Sequence, residues 1–177
     1  MDRAAFRQLI ERRRSIRRFE TVAIDEEKIR EILDSARLAP SAGNLQSYRV
    51  LVVRSAEKRG ALAEAAYGQS FLAQAPVVLA FVAMPDVAAA RYADRGRDLY
   101  AVQDATIAAT FAMLAATALD LGTVWVGAFD DAAVKRTLKA QADWRPVALL
   151  PIGYPAETPA PTPRRSVAEL VKEANHG

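Results

Sequence analysis

The sequence predicts one domain that mixes helices with short strands, and three observations predict it. Apolar residues recur at helical spacing in two N-terminal segments: Phe6, Leu9 and Ile10, then Ile29, Ile32, Leu33 and Ala36. Short runs rich in valine and leucine, at 48–54, 76–84, 123–126 and 146–152, read as strands. Residues 98–121 form a long helical stretch that is apolar on nearly every side. At 177 residues the chain is large enough for a single buried core, so residues 1–177 are read as one domain, with 155–177 as an extended C-terminal arm.

Each element has a local reason. The first helix spans about 3–13. Asp25 precedes a second as its N-cap, with Glu26 and Glu27 suited to the first turn, and Pro40 ends it by disfavouring helical geometry in the residue before it. A third helix covers 57–66. The run 76–84 is continuously apolar and reads as a central strand covered on both faces. Residues 85–96, with Arg91, Tyr92 and Arg95, read as a surface loop, a lid or entry to a site being the alternative. Gly122 reads as the C-cap of the long helix, and Asp130 or Asp131 as the N-cap of a helix ending at Leu138. Four prolines between 155 and 163 keep the arm extended, and a short helix closes the chain from Ser166.

Composition removes several kinds of chemistry. About half the residues (51%) are apolar, and the net charge of +3 is too small to argue for a nucleic-acid partner. There is no cysteine, hence no disulfide, thiolate metal site or cysteine nucleophile. The single histidine, His176, is next to the last residue, which makes a serine–histidine triad or a histidine metal site improbable. The start carries no signal-peptide core, and no run reads as long and charge-free enough to span a membrane, so a cytoplasmic protein with no membrane partner is the expectation. With so few acid–base groups, an enzyme of this composition would rely on a bound cofactor for its chemistry.

Four stretches carry candidate binding residues. Five arginines fall within seven positions at 12–18, where Arg13, Arg14, Arg17 and the small hydroxyl of Ser15 suit the oxygens of a phosphate. A solvated helix end is the competing reading of that run. Pro40, Ser41, Ala42, Gly43, Asn44 and Gln46 form a small, polar loop whose two amides suit the edge of a heterocycle. Gly127 and Ala128 follow a strand and let the backbone approach a flat ligand closely. Arg164 and Arg165 ride on the proline-rich arm. No Gly-x-Gly-x-x-Gly fingerprint or P-loop occurs.

In this order and spacing, the four stretches resemble the nitroreductase family of FMN-dependent oxidoreductases, and the resemblance covers almost the whole chain. It implies an α+β fold, a mainly antiparallel sheet wrapped by helices, and an intertwined homodimer with FMN at the subunit interface. It further implies that Arg13, Arg14, Ser15 and Arg17 hold the phosphate, ribityl chain and pyrimidine edge, with Arg17 near flavin N1. Arg165 and Arg164 would return to the same phosphate. Pro40, Ser41, Ala42, Asn44 and Gln46 would come from the partner subunit, and the amides of Gly127 and Ala128 would face flavin N5 and O4. The implied reaction is ping-pong: NAD(P)H gives hydride to the flavin, and a small oxidised acceptor such as a nitroaromatic or quinone receives it, with no protein side chain as nucleophile. The sequence departs from many relatives at Gln46-Ser47-Tyr48, where they carry Gln-Pro-Trp, and it is short for the family. Two rival readings are a flavin-binding sensor or carrier without turnover and a basic nucleic-acid binder built on 12–18.

Overall fold

A computed structural model describes residues 2–174, so the reading of His176 falls outside the described residues. At its centre is a four-stranded sheet of β1 (Tyr48–Val53), β2 (Val77–Ala83), β3 (Gly122–Thr123) and β4 (Arg145–Gly153). The spatial order is β1-β2-β4-β3, and every pairing is antiparallel. The pleat of β2 sends Val77, Leu79 and Phe81 to one face, where they meet Ile29, Ile32 and Ala36 of α2 (Glu26–Arg37) and Ala108, Ala109 and Ala112 of α6 (Ala101–Ala118). Val78 and Ala80 point the other way, onto Leu62 of α3 (Ala56–Ala65), Leu72 of α4 (Phe71–Gln74) and Val134 of α7 (Asp131–Leu138). All seven residues of β2 are buried, as its unbroken apolar sequence requires. Burying a side chain such as Phe81 contributes about 1.5–3 kcal/mol.

The connection from α1 (Arg3–Arg12) to the sheet sets the site. Asp2 caps α1 by accepting from Ala5 N at 2.8 Å, and the helix stops where Arg13 turns to φ −59°, ψ 127°. The chain then runs extended along the sheet margin. Ser15 bridges Thr123, Ile16 N donates to Thr123 O at 3.1 Å, and Glu20 N donates to Tyr154 O at 2.9 Å. Ile16 fits because residue 122 is glycine: a Cβ there would stand 2.8 Å from the Ile16 side chain. That corrects the reading of Gly122 as a helix cap. The reversal after α6 occurs at Asp120, with φ 60°, and Gly122 belongs to β3. The strand expected at 123–126 is correspondingly short, with Val126 making a separate bridge to Leu149.

Residues 85–96 are not a loop. They form α5 (Pro85–Arg95), started by Pro85 at its first turn and carried by Ala88–Ala90, good helix formers. The chain reverses at Ala93, with φ 48° and ψ −138°, and a π-helical turn at Gly96–Tyr100 leads into α6. Gly96 lies so close to the Ala88 carbonyl that no side chain fits there. Contrary to the sequence reading, the 34 residues Pro85–Ala118 are long and apolar enough to cross a bilayer by length and composition. They are broken at Ala93, and Ala101, Ala105, Ala108, Ala112 and Ala116 are fully buried in the core.

Asp25 stands at the N-cap of α2 but makes no side-chain cap bond, whereas Asp130 caps α7 through Ala133 N at 3.0 Å. The arm beyond Tyr154 has little regular structure until α8 (Val167–Leu170), which Ser166 and Glu169 close with a capping box.

Candidate cofactor-binding site

The two ends of the chain meet in a cavity of about 550 Å³ lined by Ile10, Arg13, Arg14, Ser15, Thr162 and Arg164, among others. Extended backbone after α1 turns Arg13–Ser15 inward, and the proline arm delivers Arg164. Three guanidiniums line this space together with Glu11, which pairs with Arg7; none of the three makes an ion pair among the described residues. Arg14 bonds the carbonyls of Glu11 and, at 2.9 Å, Arg13; among the described residues Arg164 reaches the carbonyls of Thr162 and Pro163, both at 3.3 Å. Burial, and then the like charges of Arg164 and Arg14, push the Arg13 guanidinium below its ordinary pKa. Such a cluster suits an anion, and a phosphate has the oxygens to engage forked donors.

Arg17 and Arg165 lie apart from this cavity. The backbone N–H groups of Arg17 and Arg18 donate to Glu157 Oε1, at 2.5 and 3.2 Å, which ties the arginine run to the start of the arm. The Arg17 side chain is exposed, and Arg165 turns onto its own helix, donating to Glu169 O at 3.0 Å. Adjacent arginines on the arm therefore point to different places, and Arg164 is the one at the cavity.

The 40–46 loop is held elsewhere on the molecule. Ser41 Oγ accepts from Gln46 N at 3.0 Å, and Gln46 Nε2 donates to Asn44 Oδ1 at 3.1 Å. Gly43, Asn44 and Gln46 all have positive φ, at 56°, 57° and 49°. Asp104 of α6 supports this geometry. Only 2% exposed, it accepts from Ala42 N at 2.9 Å and from Ser47 N and Oγ at 3.2 and 2.5 Å. Sequence reading missed this residue, although it is the one acidic side chain inside an otherwise apolar helix. Pro40, Asn44 and Gln46 are exposed, and Ser41 and Ala42 half-buried.

Gly127 and Ala128 form the third piece. Both are exposed, and their amides have no hydrogen-bond partner among the described residues. Gln69 Nε2 pins the turn by donating to Ala128 O at 3.1 Å. Trp125 Nε1 lies 2.9 Å from where a Cβ on residue 127 would be, so a larger residue there would displace the partly exposed indole. The Ser15–Thr123 bridge links this turn, four residues on, to the arginine cavity. The cavity lining does not include the 40–46 loop.

The nitroreductase family model matches residues 10–70 and 64–154. The chain belongs to the nitroreductase family. A curated NADH dehydrogenase of Thermus thermophilus is 33% identical over 187 residues, covering 90% of this chain and 91% of the relative. An FMN reductase [NAD(P)H] of Bacillus subtilis is 32% identical over 164 residues, covering 85% of this chain and 66% of that protein. Nitroreductase A of Vibrio parahaemolyticus superposes with a TM-score of 0.90 at 27% identity, over 100% of this chain and 77% of that one. This nitroreductase therefore has the α+β fold that its four motifs implied, with an antiparallel sheet wrapped by helices.

Proposed function

We propose that this nitroreductase-family chain is an FMN-dependent oxidoreductase that uses NAD(P)H to reduce a small oxidised acceptor, such as a nitroaromatic or quinone. The observation that carries the reading is the cavity where Arg13, Arg14 and Arg164 converge around Ser15; none of the three has an ion pair among the described residues, and the one carboxylate lining the cavity, Glu11, is paired with Arg7. The name of the Bacillus subtilis relative, FMN reductase [NAD(P)H], supports the same cofactor and donor.

In this reading Arg13, Arg14, Ser15 and Arg164 hold the FMN phosphate, with Arg17 and Arg165 beside them only if their side chains turn. When bound, the flavin supplies a two-electron hydride carrier, so the protein needs no nucleophile of its own, in keeping with a chain without cysteine. The free amides of Gly127 and Ala128 offer donors where negative charge develops, fixed in place by Gln69. Pro40, Ser41, Ala42, Asn44 and Gln46 would come from a second copy and orient the ring.

A homodimer accounts for the apolar surface that one copy leaves open. Helix α1 buries none of its residues, and Phe6 and Ile10 are about half exposed. Phe111 faces outward from α6, Val52 from the edge strand β1, and Val167, Leu170 and Val171 from the arm. A contiguous partner surface would cover these groups.

The test is the visible spectrum of the purified protein. Flavin absorption that bleaches on adding NAD(P)H is the expected result, and bleaching separates an enzyme from a passive flavin carrier. A colourless protein that takes up no FMN would overturn the proposal.

A further inference from the structure

The side chains of Arg91 and Tyr92, near the end of α5, reach the 41–46 loop at Gly43. A Cβ on Gly43 would collide with the Tyr92 hydroxyl and stand 3.0 Å from the Arg91 guanidinium. Two unusual positions hold this arrangement. Ala93 reverses the chain in a conformation that L-residues rarely adopt, and Gly96 allows the returning turn to touch the Ala88 carbonyl. Strain of this kind persists where the surrounding structure imposes it, often beside ligands.

The arginines displayed there are prepared for an anion. Arg91 lies over the Tyr92 ring at 5.5 Å, and Arg95 over the Tyr100 ring at 5.4 Å, with Arg95 Nε donating to Tyr100 Oη at 2.9 Å. The two rings meet edge to face at 5.2 Å. Stacking fixes the planes of the guanidiniums and leaves donors outward. Neither arginine has an ion pair among the described residues, including with Asp94 between them, whereas Arg97 pairs with Asp86.

We propose that Arg91, backed by Arg95, grips the phosphates of the pyridine dinucleotide that delivers hydride. This rests on the flavin reading above, which sets the 41–46 loop beside the flavin ring. The dinucleotide is the favoured ligand because it always carries phosphate, while quinone and nitroaromatic acceptors are often neutral.

The test uses the flavin-loaded protein and the variants Arg91→Ala, Arg91→Lys and Arg95→Ala. Binding of NADP⁺ is measured by calorimetry. Flavin bleaching is followed with NADPH and with 1-benzyl-1,4-dihydronicotinamide, an uncharged hydride donor. Arg91→Ala is expected to weaken NADP⁺ binding and lower the NADPH bimolecular rate by about tenfold or more, the scale of one lost charge-assisted contact. The uncharged donor should react as it does with the parent protein, and Arg91→Lys should fall between. Equal losses with both donors, or no loss with either, would overturn the proposal. So would a defect confined to reoxidation by a carboxylated quinone, which would assign the anion to the acceptor. If Arg91→Ala does not fold, Arg91→Lys and Arg95→Ala carry the comparison. Absence of flavin in the parent protein would show as missing absorbance, and would count against the cofactor reading rather than against Arg91.

Discussion

The Ser47 hydroxyl donates to Asp104 Oδ2 at 2.5 Å, across 57 residues of sequence. This contact joins the loop to the helix that forms the core. A carboxylate taken out of water is costly unless donors surround it, and three donors from the loop do so here.

Replacing Asp104 with alanine would leave the Ala42 and Ser47 amides and the Ser47 hydroxyl without their acceptor. The expected loss is roughly 2–4 kcal/mol, summed over donors left unmade in a buried site. Urea unfolding followed by circular dichroism measures it. A midpoint unchanged from the parent protein would show that the loop holds its shape without Asp104.

Arg13→Ala and Arg164→Ala should each weaken FMN binding at least tenfold, since each removes a charge-assisted contact worth about 1.5–3 kcal/mol. The double variant should lose more than the sum of the singles, because relief of the like-charge repulsion offsets part of the loss in each single variant but counts only once in the double. Flavin fluorescence titration reads all three. Parent-like retention in both single variants would remove this cavity as the phosphate seat.

Two glycines should respond oppositely to alanine. At Gly122 the new Cβ would press on Ile16 and cost roughly 1–3 kcal/mol of overpacking. At Gly60, inside α3, nothing lies within 4 Å of the added carbon, and the helix should gain about 0.5–1 kcal/mol. Thermal denaturation of the pair tests both signs against one parent.

Glu169 titrates below its ordinary range, first because the Ser166 side chain donates to its carboxylate and then because the Ser166 backbone does. A depressed carboxylate pKa means that the cap's contribution is complete above the unfolded value and fades as pH falls through the folded one. Carbon-detected NMR should therefore find Glu169 deprotonating at lower pH than other exposed glutamates, with α8 fraying on acidification. Coincident titration of Glu169 with those glutamates would show that the capping box does not hold in solution.

Sedimentation equilibrium should give twice the chain mass for the flavin-loaded protein. Phe111→Asp, on the open face of α6, should shift it toward the single-chain mass. A stable, flavin-loaded single chain would contradict the two-copy site.

The parts of this molecule that announce themselves in the sequence are those whose residue types have one use. The uninterrupted apolar strand at 77–83 is of this kind, and β2 lies between two helical layers as its composition requires. Helix α5 was misread because Pro85 and Gly96 look like loop punctuation, although one starts the helix and the other permits a backbone contact. Asp104 could not be assigned, since its partners lie 57 and 62 residues away. Nor does a pair of neighbouring arginines reveal which faces the cavity: Arg164 lines it and Arg165 does not.

The meeting of Arg13 with Arg164 has a consequence for how the protein loads and ages. Like charges oppose the seating of the tail until something negative enters between them. If the cofactor phosphate is seated between them, as proposed, tail docking and ligand capture form a single coupled equilibrium. A chain short of its prosthetic group would then carry a looser, more easily clipped arm at 161–165 than a loaded one, and resistance to proteases would report occupancy.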